Sequence, residues 1–171
     1  MSIGQSLLPE FDREMATTRR VLARVPFEKL DFKPHEKSMA MGHLANHIVT
    51  MTGWLPYTLQ TESLDLAPPD GPAWEPPPLA ATSEGMLAAF DDSVAASRAA
   101  LAAATDEAMM QPWSLLRGGQ AMFTMPRIGC VRGMILNHLV HHRGQLSVYL
   151  RMCDVPVPSI YGPSGDEQTP S

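Results

Sequence analysis

Apolar residues recur every three or four positions along most of the chain, with polar and charged residues between them. This period is that of an amphipathic helix whose apolar face packs on a core. It predicts four helices, over roughly residues 4–24, 38–59 and 83–104, and from about 126–132 to about 153. In the first of them the apolar stripe consists of Leu8, Phe11, Met15, Leu22 and Val25.

The second predicted helix has a boundary signal at each end. Ser38 precedes its apolar stripe and can cap it, because a serine hydroxyl accepts a hydrogen bond from a free backbone N–H of the first turn. Pro56 lies near the other end and is expected to kink the helix or to end it early, since proline has no N–H to donate. We therefore expect a helix from Ser38 to about Leu59 that is disturbed at Pro56.

The remaining segments are expected to be irregular. Residues 61–81 contain six prolines and predict a long extended crossover loop, held to the body by Trp74 and Leu79. The Gly-Gly pair in LLRGGQAMF indicates a short hairpin, and the Pro/Gly/Ser-rich tail at about 155–171 has no regular pattern. The sequence thus predicts one all-α domain over residues 1–171, a four-helix bundle with long crossover connections.

Composition excludes several classes of function. Hydrophobic residues make up 44% of the 171 residues, enough for a sizeable core, and the net charge is −5 without a basic run. Nucleic-acid binding is therefore not expected. We find no secretory signal and no stretch of about 20 apolar residues, and Cys130 and Cys153 do not form a disulfide framework. These features predict a reduced, cytoplasmic protein that does not bind membranes.

The fourth predicted helix carries three histidines within the stretch NHLVHHRGQL. His138 and His142 continue the apolar line through Val131 and Ile135 and so face the core, whereas His141 points about 100° away from His142. Side chains at i and i+4 lie one turn apart on one face and can reach a single metal ion. The alternative is a pair of interior histidines held by hydrogen bonds, which requires a partner for every ring nitrogen.

A second histidine pair at the same spacing lies on the second predicted helix, in MGHLANHIVTMTGW. His43 and His47 are four residues apart there, and His47, Met51 and Trp54 share a face. A third imidazole from this helix would complete a three-histidine site with open positions for water or substrate. Spacing alone allows either His43 or His47.

Two other kinds of metal site are excluded by the sequence. A zincin needs HExxH with the glutamate as base, and the corresponding position here is Leu139. Dinuclear carboxylate bundles need ExxH motifs on two helices, and the chain contains no ExxH. The remaining candidate is a mononuclear site for one divalent metal ion, and nitrogen-rich sites of this kind accept zinc, nickel, iron and copper.

Both histidine blocks resemble those of a known family. NHLVHHRGQLSVYLR, with its HxxxHRGQ core, resembles the fourth-helix motif of the DinB-like (damage-inducible) metal-binding four-helix bundles. KSMAMGHLANHIVTMTGW is similar to that family's second-helix block, in which one histidine precedes a tryptophan by seven residues, as His47 precedes Trp54 here. The tail VPVPSIYGP also resembles that of some members, so the resemblance covers nearly the whole chain.

The resemblance implies a fold and a metal more strongly than a reaction. It gives the ligand role to His47, His138 and His142, and it leaves out His43 and His141. The family includes transferases and isomerases that use low-molecular-weight thiols such as bacillithiol or mycothiol, together with members of unknown activity. The resemblance therefore implies a divalent ion as cofactor. It also implies a low-molecular-weight thiol as a second cofactor.

Three further residues are candidates for the surroundings of the ion. Arg143 and Gln145 follow the ligand pair, where they could orient a ligand histidine or bind an anionic substrate; a structural salt bridge is the alternative for Arg143. Trp54 is a candidate for the pocket wall or for the core. We expect the loop at 61–81 and the tail near Tyr161 to cover the pocket.

Three functions fit these residues. The first is a metal-dependent enzyme for a small-molecule substrate, with a thiol-dependent S-transferase, isomerase-like or hydrolytic activity. It is suggested because no Ser-His-Asp arrangement and no glycine-rich phosphate loop offers another catalytic device. The second is a non-catalytic metal-binding stress-response protein of the same fold, and the third is a helical scaffold. We also expect a two-fold homodimer built on helix faces away from the metal.

Overall fold

Four long helical segments form the body of the molecule. The computed structural model describes residues 1–168, so residues 169–171 of the predicted tail lie outside the described residues. In chain order the elements are α1 (Ile3–Leu22), a 3₁₀ turn (Phe27–Lys29), α2 (Met41–Thr52), α3 (Trp54–Gln60), β1 (Ser63–Asp65), α4 (Ser83–Ala103), α5 (Asp106–Met110), β2 (Pro112–Arg117), β3 (Gln120–Pro126), α6 (Arg127–Gly129), a π-helical stretch (Cys130–Asn137) and α7 (His138–Met152).

The helices α1, α2, α4 and α7 pack together as a bundle. Both α1 and α2 contact α4 and α7, so the four helices enclose one interior. That interior is apolar, with fully buried side chains such as Phe11, Leu22, Ile48, Phe90 and Leu139. Burying a side chain of this size stabilises the fold by roughly 1.5–3 kcal/mol. The predicted four-helix bundle is confirmed, and a small sheet is added to it.

The second predicted helix differs most from the expectation. It begins at Met41 after Ala40, which offers no side-chain cap, so the predicted cap at Ser38 was wrong. It ends at Thr52, and α3 begins at once with Trp54. Pro56 is therefore the third residue of a new helix, where its missing N–H costs no intrahelical hydrogen bond. The interruption of the helix that was expected at Pro56 occurs three residues earlier, at Gly53.

The fourth predicted helix is continuous but not uniformly α-helical. It runs from Arg127 to Met152, and its residues Cys130–Asn137 form π-helical turns. π-helical turns are rare and frequently occur at functional sites. This stretch ends directly before His138, so the wider turns lead into the first of the inward histidines.

A three-stranded sheet lies beside the bundle. β2 and β3 form the predicted hairpin, whose two turn residues Gly118 and Gly119 have φ of 62° and 75°. Two positive φ values in succession fit a two-residue hairpin turn and favour glycine. β1 pairs in parallel with β2, Ser63 opposite Ser114. The Asp65 carboxylate accepts hydrogen bonds from the N–H groups of Gly118 (3.0 Å) and Gly119 (2.7 Å), which attaches β1 to the turn.

The proline-rich crossover at 61–81 lies along the body instead of projecting from it. The backbone N–H of Trp74 donates to Leu66 O at 2.9 Å, and Asn46 Nδ2 on α2 donates to Pro77 O at 2.8 Å. The crossover thus forms a wall that faces α2. Within residues 1–168, no helix has both the length and the apolar character needed to cross a bilayer.

Candidate metal centre

Three imidazoles from two helices meet where α2 faces α7. The ring centroid of His47 on α2 lies 5.2 Å from that of His138 and 4.7 Å from that of His142, and the two α7 rings are 4.5 Å apart. One ring nitrogen of each histidine lies within 4.8 Å of the others. We call these three residues the histidine cluster. It is consistent with the metal site that the sequence predicts.

The hydrogen bonds of the α7 pair leave two lone pairs facing each other. His142 Nδ1 lies 2.7 Å from Gln145 Oε1, and His138 Nδ1 lies 3.2 Å from Met134 O. Because both partners are acceptors, each Nδ1 carries the ring proton and each Nε2 presents its lone pair. The two Nε2 atoms are nevertheless only 2.8 Å apart. Two acceptors at this distance repel each other unless a cation binds to both.

The separation of the nitrogens fits a metal ion as that cation. Two nitrogens about 2.0–2.1 Å from one ion, at an angle of roughly 90–109°, lie about 2.8–3.4 Å apart. The Nε2 atoms of His138 and His142, at 2.8 Å, meet this range at its lower end. A set of neutral imidazole donors suits zinc, nickel and iron. The α7 pair therefore fits a divalent ion, and a ring nitrogen of His47 lies within 4.8 Å of both as a third candidate ligand.

Burial keeps two of the ligand candidates neutral. The pKa of His47 is lowered to about 4, first by burial and then by the neighbouring His142, His138 and His43. The pKa of His142 is lowered as well, chiefly by burial, although the hydrogen bond to Gln145 opposes this. Metal ligands must be neutral imidazoles. At neutral pH an ion therefore displaces no proton from His47 or His142.

The π-helical turns contribute an acceptor to the site. The backbone N–H of His138 donates to Ile135 O, and Met134 O accepts from the ring of His138. This second contact fixes the tautomer of His138 as Gln145 fixes that of His142. Such hydrogen bonds to the non-ligating nitrogen are typical of histidines that bind metal.

The two other histidines of these motifs lie outside the cluster. His43, one turn before His47 on α2, is exposed. His141 is also exposed, with its ring 4.9 Å from that of His142, and it contributes no nitrogen to the group of three. Of the two α2 histidines that spacing left open, the structure brings His47 into the cluster and not His43.

Arg143 is turned away from the histidine cluster, although it follows His142 directly. Its side chain is 1% exposed, and its Nη2 lies 2.7 Å from Glu14 Oε2 on α1. Its Nη1 donates to Glu14 O (3.1 Å) and to Thr18 Oγ1 (3.2 Å). Consecutive helical residues point about 100° apart, which explains the divergence. Arg143 therefore forms the structural salt bridge, and the suggestion that it orients a ligand or binds substrate is corrected.

The C-terminal tail adds a further side chain to the contacts of Arg143 and Glu14. The Tyr161 hydroxyl donates to Glu14 Oε2 (2.9 Å) and accepts from Arg143 Nη2 (2.8 Å), and the guanidinium carbon lies 5.2 Å from the centre of the tyrosine ring. We call Arg143, Glu14, Thr18 and Tyr161 the arginine cluster. The expectation that the tail near Tyr161 covers the pocket was wrong, because no tail residue up to 168 lines the pocket described next.

A cavity of about 960 Å³ opens beside the histidine cluster. His47 lines it, and so does Trp54, whose ring meets that of His47 edge-on with a centroid distance of 5.9 Å. The crossover covers the cavity with Trp74, whose ring centroid lies 5.9 Å from that of Trp54. The volume is within the range of ligand pockets, about 300–1,000 Å³.

One wall of the cavity is the part of the site that the sequence did not predict. It comes from β2, where Trp113, Leu115 and Arg117 alternate in sequence and all line the cavity. Alternate residues of a strand share a face. The hairpin was recognised by its glycine pair, and the alternation of its first strand was the signal that could have identified this wall.

Comparison with known proteins agrees with these observations. A family model described as the DinB family matches residues 1–170. The fold is similar to that of a DinB-like protein from Bacillus cereus ATCC 10987, with a TM-score of 0.71, 21% identity, and coverage of 94% of this chain and 98% of that one. A DinB-like protein from Bacillus subtilis gives a TM-score of 0.65 at 15% identity, covering 96% and 99% of the two chains. No curated protein matches the sequence.

Proposed function

The chain belongs to the DinB family, and from that premise we propose that it is a divalent-metal-dependent enzyme for a small-molecule substrate. The reaction is a thiol-dependent S-transfer, an isomerisation or a hydrolysis. The observation that carries the proposal is the cavity of about 960 Å³ that reaches His47. An ion with a purely structural role needs no such space beside it.

The histidine cluster would hold the ion through one ring nitrogen of each residue. When bound, a divalent cation supplies Lewis-acid chemistry, which lowers the pKa of a thiol or water and polarises a carbonyl. Gln145 Oε1 and Met134 O fix the rings of His142 and His138, so that both Nε2 lone pairs remain directed at one point.

The nucleophile in this proposal comes from outside the chain. No cysteine lines the cavity in the part of the chain that the structure describes, and Cys130 and Cys153 are buried. A low-molecular-weight thiol or water fills this role. In an S-transfer the sulfur forms a bond to an electrophilic carbon, the leaving group departs with the bonding electron pair, and the thiol proton passes to solvent.

The remaining walls position the substrate and exclude water. Trp54 packs edge-on against His47, and Trp74 packs edge-on against Trp54. The crossover that carries Trp74 is tied to α2 through Asn46 and Pro77. These contacts hold an apolar surface directly beside the histidine cluster, where an electrophile can lie against it.

Thiol-transfer assays test the proposal. Zinc-, nickel- and iron-loaded protein is incubated with bacillithiol, mycothiol or cysteine and a chlorodinitrobenzene, and in parallel with a nitrophenyl ester and water. We expect turnover that stops on chelation and in His142→Ala, and that survives in His141→Ala, a matched control on the adjacent exposed position.

Two results contradict the enzyme proposal. Full activity of verified metal-free protein would remove the ion from the mechanism. A protein that binds one ion per chain but is inert toward every thiol and electrophile would favour the alternative, a non-catalytic metal-binding stress-response protein of the same fold.

A further inference from the structure

The cavity beside the histidine cluster has an unusual charge balance. Most of its lining is apolar, and all three tryptophans of the chain, Trp54, Trp74 and Trp113, contribute to it. Within residues 1–168, no aspartate or glutamate lines it, and Arg117 is its one arginine or lysine. The chain as a whole carries a net charge of −5. An attraction for anions at this place is therefore local and depends on Arg117.

The guanidinium of Arg117 is free to bind a ligand. Arg117 is exposed, and its side chain has no hydrogen-bond or ion-pair partner among the described residues. The acidic Asp65 on the neighbouring strand is occupied, because its carboxylate accepts from the backbone N–H groups of Ala67, Gly118 and Gly119. These three hydrogen bonds lower the pKa of Asp65.

The sheet fixes Arg117 at a defined distance from the aromatic wall. Trp113, Leu115 and Arg117 line the same cavity from alternate positions of β2, and at about 3.3 Å per residue the first and last of them are roughly 13 Å apart along the strand. The parallel pairing with β1 holds β2 on one side and the hairpin turn closes directly after Arg117. Arg117 thus lies at the end of a rigid apolar surface.

We propose that the substrate of this site is a small organic acid, with a flat apolar body against the tryptophan wall and a carboxylate on Arg117. The inference rests on the proposed function and names its substrate class. An arginine fork binds a carboxylate through two parallel hydrogen bonds. The apolar walls contact the body of such a ligand, while the exposed guanidinium of Arg117 takes its carboxylate. His47 lines the same cavity, so a molecule held by Arg117 shares that space with the histidine cluster.

Ligand binding measured by tryptophan fluorescence tests the inference, because all three tryptophans line the cavity. The probe is 4-phenylbutyrate, and its uncharged amide is the comparison ligand. In the wild type we expect the acid to bind up to about fivefold more tightly than the amide, the ratio expected for an ion pair at an exposed arginine. Arg117→Gln should lose that preference, and Lys37→Gln, which removes the same charge from an exposed site, should keep it.

The measurement is made on both chelated and metal-loaded protein, so that Arg117 is separated from the ion. Preference for the acid that persists after chelation and disappears in Arg117→Gln supports the inference. An acid that binds only the metal-loaded protein, or binds Arg117→Gln as tightly as the wild type, overturns it. Failure of the thiol-transfer assays together with an intact Arg117-dependent preference refutes the proposed reaction and leaves the anion site standing.

Discussion

This bundle contains two polar clusters, and each includes one of two consecutive residues of α7. His142 belongs to the histidine cluster and Arg143 to the arginine cluster. In the arginine cluster Arg143 donates to the carboxylate of Glu14 and to three further oxygens, Glu14 O, Thr18 Oγ1 and Tyr161 OH. The charges are therefore matched within the chain. In the histidine cluster no carboxylate is present, and two nitrogen lone pairs face each other at 2.8 Å.

This difference in hydrogen-bond partners distinguishes a cluster with a structural role from one that requires a ligand. A buried polar group is stable when its partners are present. The arginine cluster has its partners and joins α7, α1 and the tail without help from outside. The histidine cluster has no acidic partner within its group and brings two Nε2 atoms to 2.8 Å from each other, and it is the one that adjoins a cavity. We therefore assign a structural role to the arginine cluster, and the histidine cluster is the one consistent with a metal site.

Removing one partner of the arginine cluster should give the largest effect on stability. Arg143→Met leaves the carboxylate of Glu14, which is 5% exposed, with the exposed Arg13 at 3.9 Å as its remaining cation. We expect a loss in the free energy of unfolding at the lower end of about 3–5 kcal/mol. Denaturant unfolding measures it. The double variant Glu14→Leu with Arg143→Met should regain most of the loss, since no charge is then left buried.

The metal content of folded Arg143→Met should equal that of the wild type. A folded variant that no longer binds the ion would show that the two clusters depend on each other, and it would break the comparison.

Chelation should lower stability by a smaller amount. An ion that binds only the folded chain at about 100 times its Kd adds roughly 2.7 kcal/mol, which for a chain of this size corresponds to a change in Tm of roughly 5–10 °C. Differential scanning calorimetry with and without chelator measures it. His142→Ala serves as control, because its Tm should not respond to added metal. An unchanged wild-type Tm after verified removal of the ion contradicts a role in joining α2 to α7.

Loss of the Gln145 side chain should weaken metal binding without abolishing it. Its Oε1 accepts from His142 Nδ1 at 2.7 Å, and loss of such a contact typically weakens metal binding by about 10–100-fold. Competition titration of Gln145→Leu against a chelator of known affinity measures the change. Ser147→Ala on the same helix, whose hydroxyl donates to Gly144 O, should bind as the wild type does. Equal affinities for the two variants would rule out the orienting role.

The smallest expected effect is on the pH dependence of stability. Because the pKa of His47 is lowered from 6.5 to about 4 in the folded chain, the unfolded chain takes up a proton first as the pH falls. The metal-free protein should therefore lose stability from about pH 6.5 down to about pH 4. His47→Gln, which cannot titrate, should lose less over the same interval. Parallel pH profiles for the two metal-free proteins would show that burial does not depress this pKa.

The sequence predicted those features that depend on local periodicity. Four helices followed from the spacing of apolar residues, and the hairpin from Gly118 and Gly119. The inward direction of His138 and His142 followed from their place on the apolar stripe. These features need only the geometry of one helix or one turn, which neighbouring residues determine.

Features that depend on distant partners were not predictable in the same way. Arg143 was ambiguous because its partner Glu14 is 129 residues away, and β1 was missed because it needs β2 beside it. The π-helical turns also have no periodic signature of their own. The homodimer, the thiol and the identity of the metal stay predictions.

The central claim is that one divalent ion binds to His47, His138 and His142. The most direct test is the metal content of tag-free protein, measured by elemental analysis for the wild type, His47→Ala and His43→Ala. The two variants change histidines one turn apart on α2, and only His47 belongs to the cluster. We predict one ion per chain in the wild type and in His43→Ala, and none in His47→Ala. A wild type without metal, or an ion that His43→Ala loses and His47→Ala keeps, would contradict the claim.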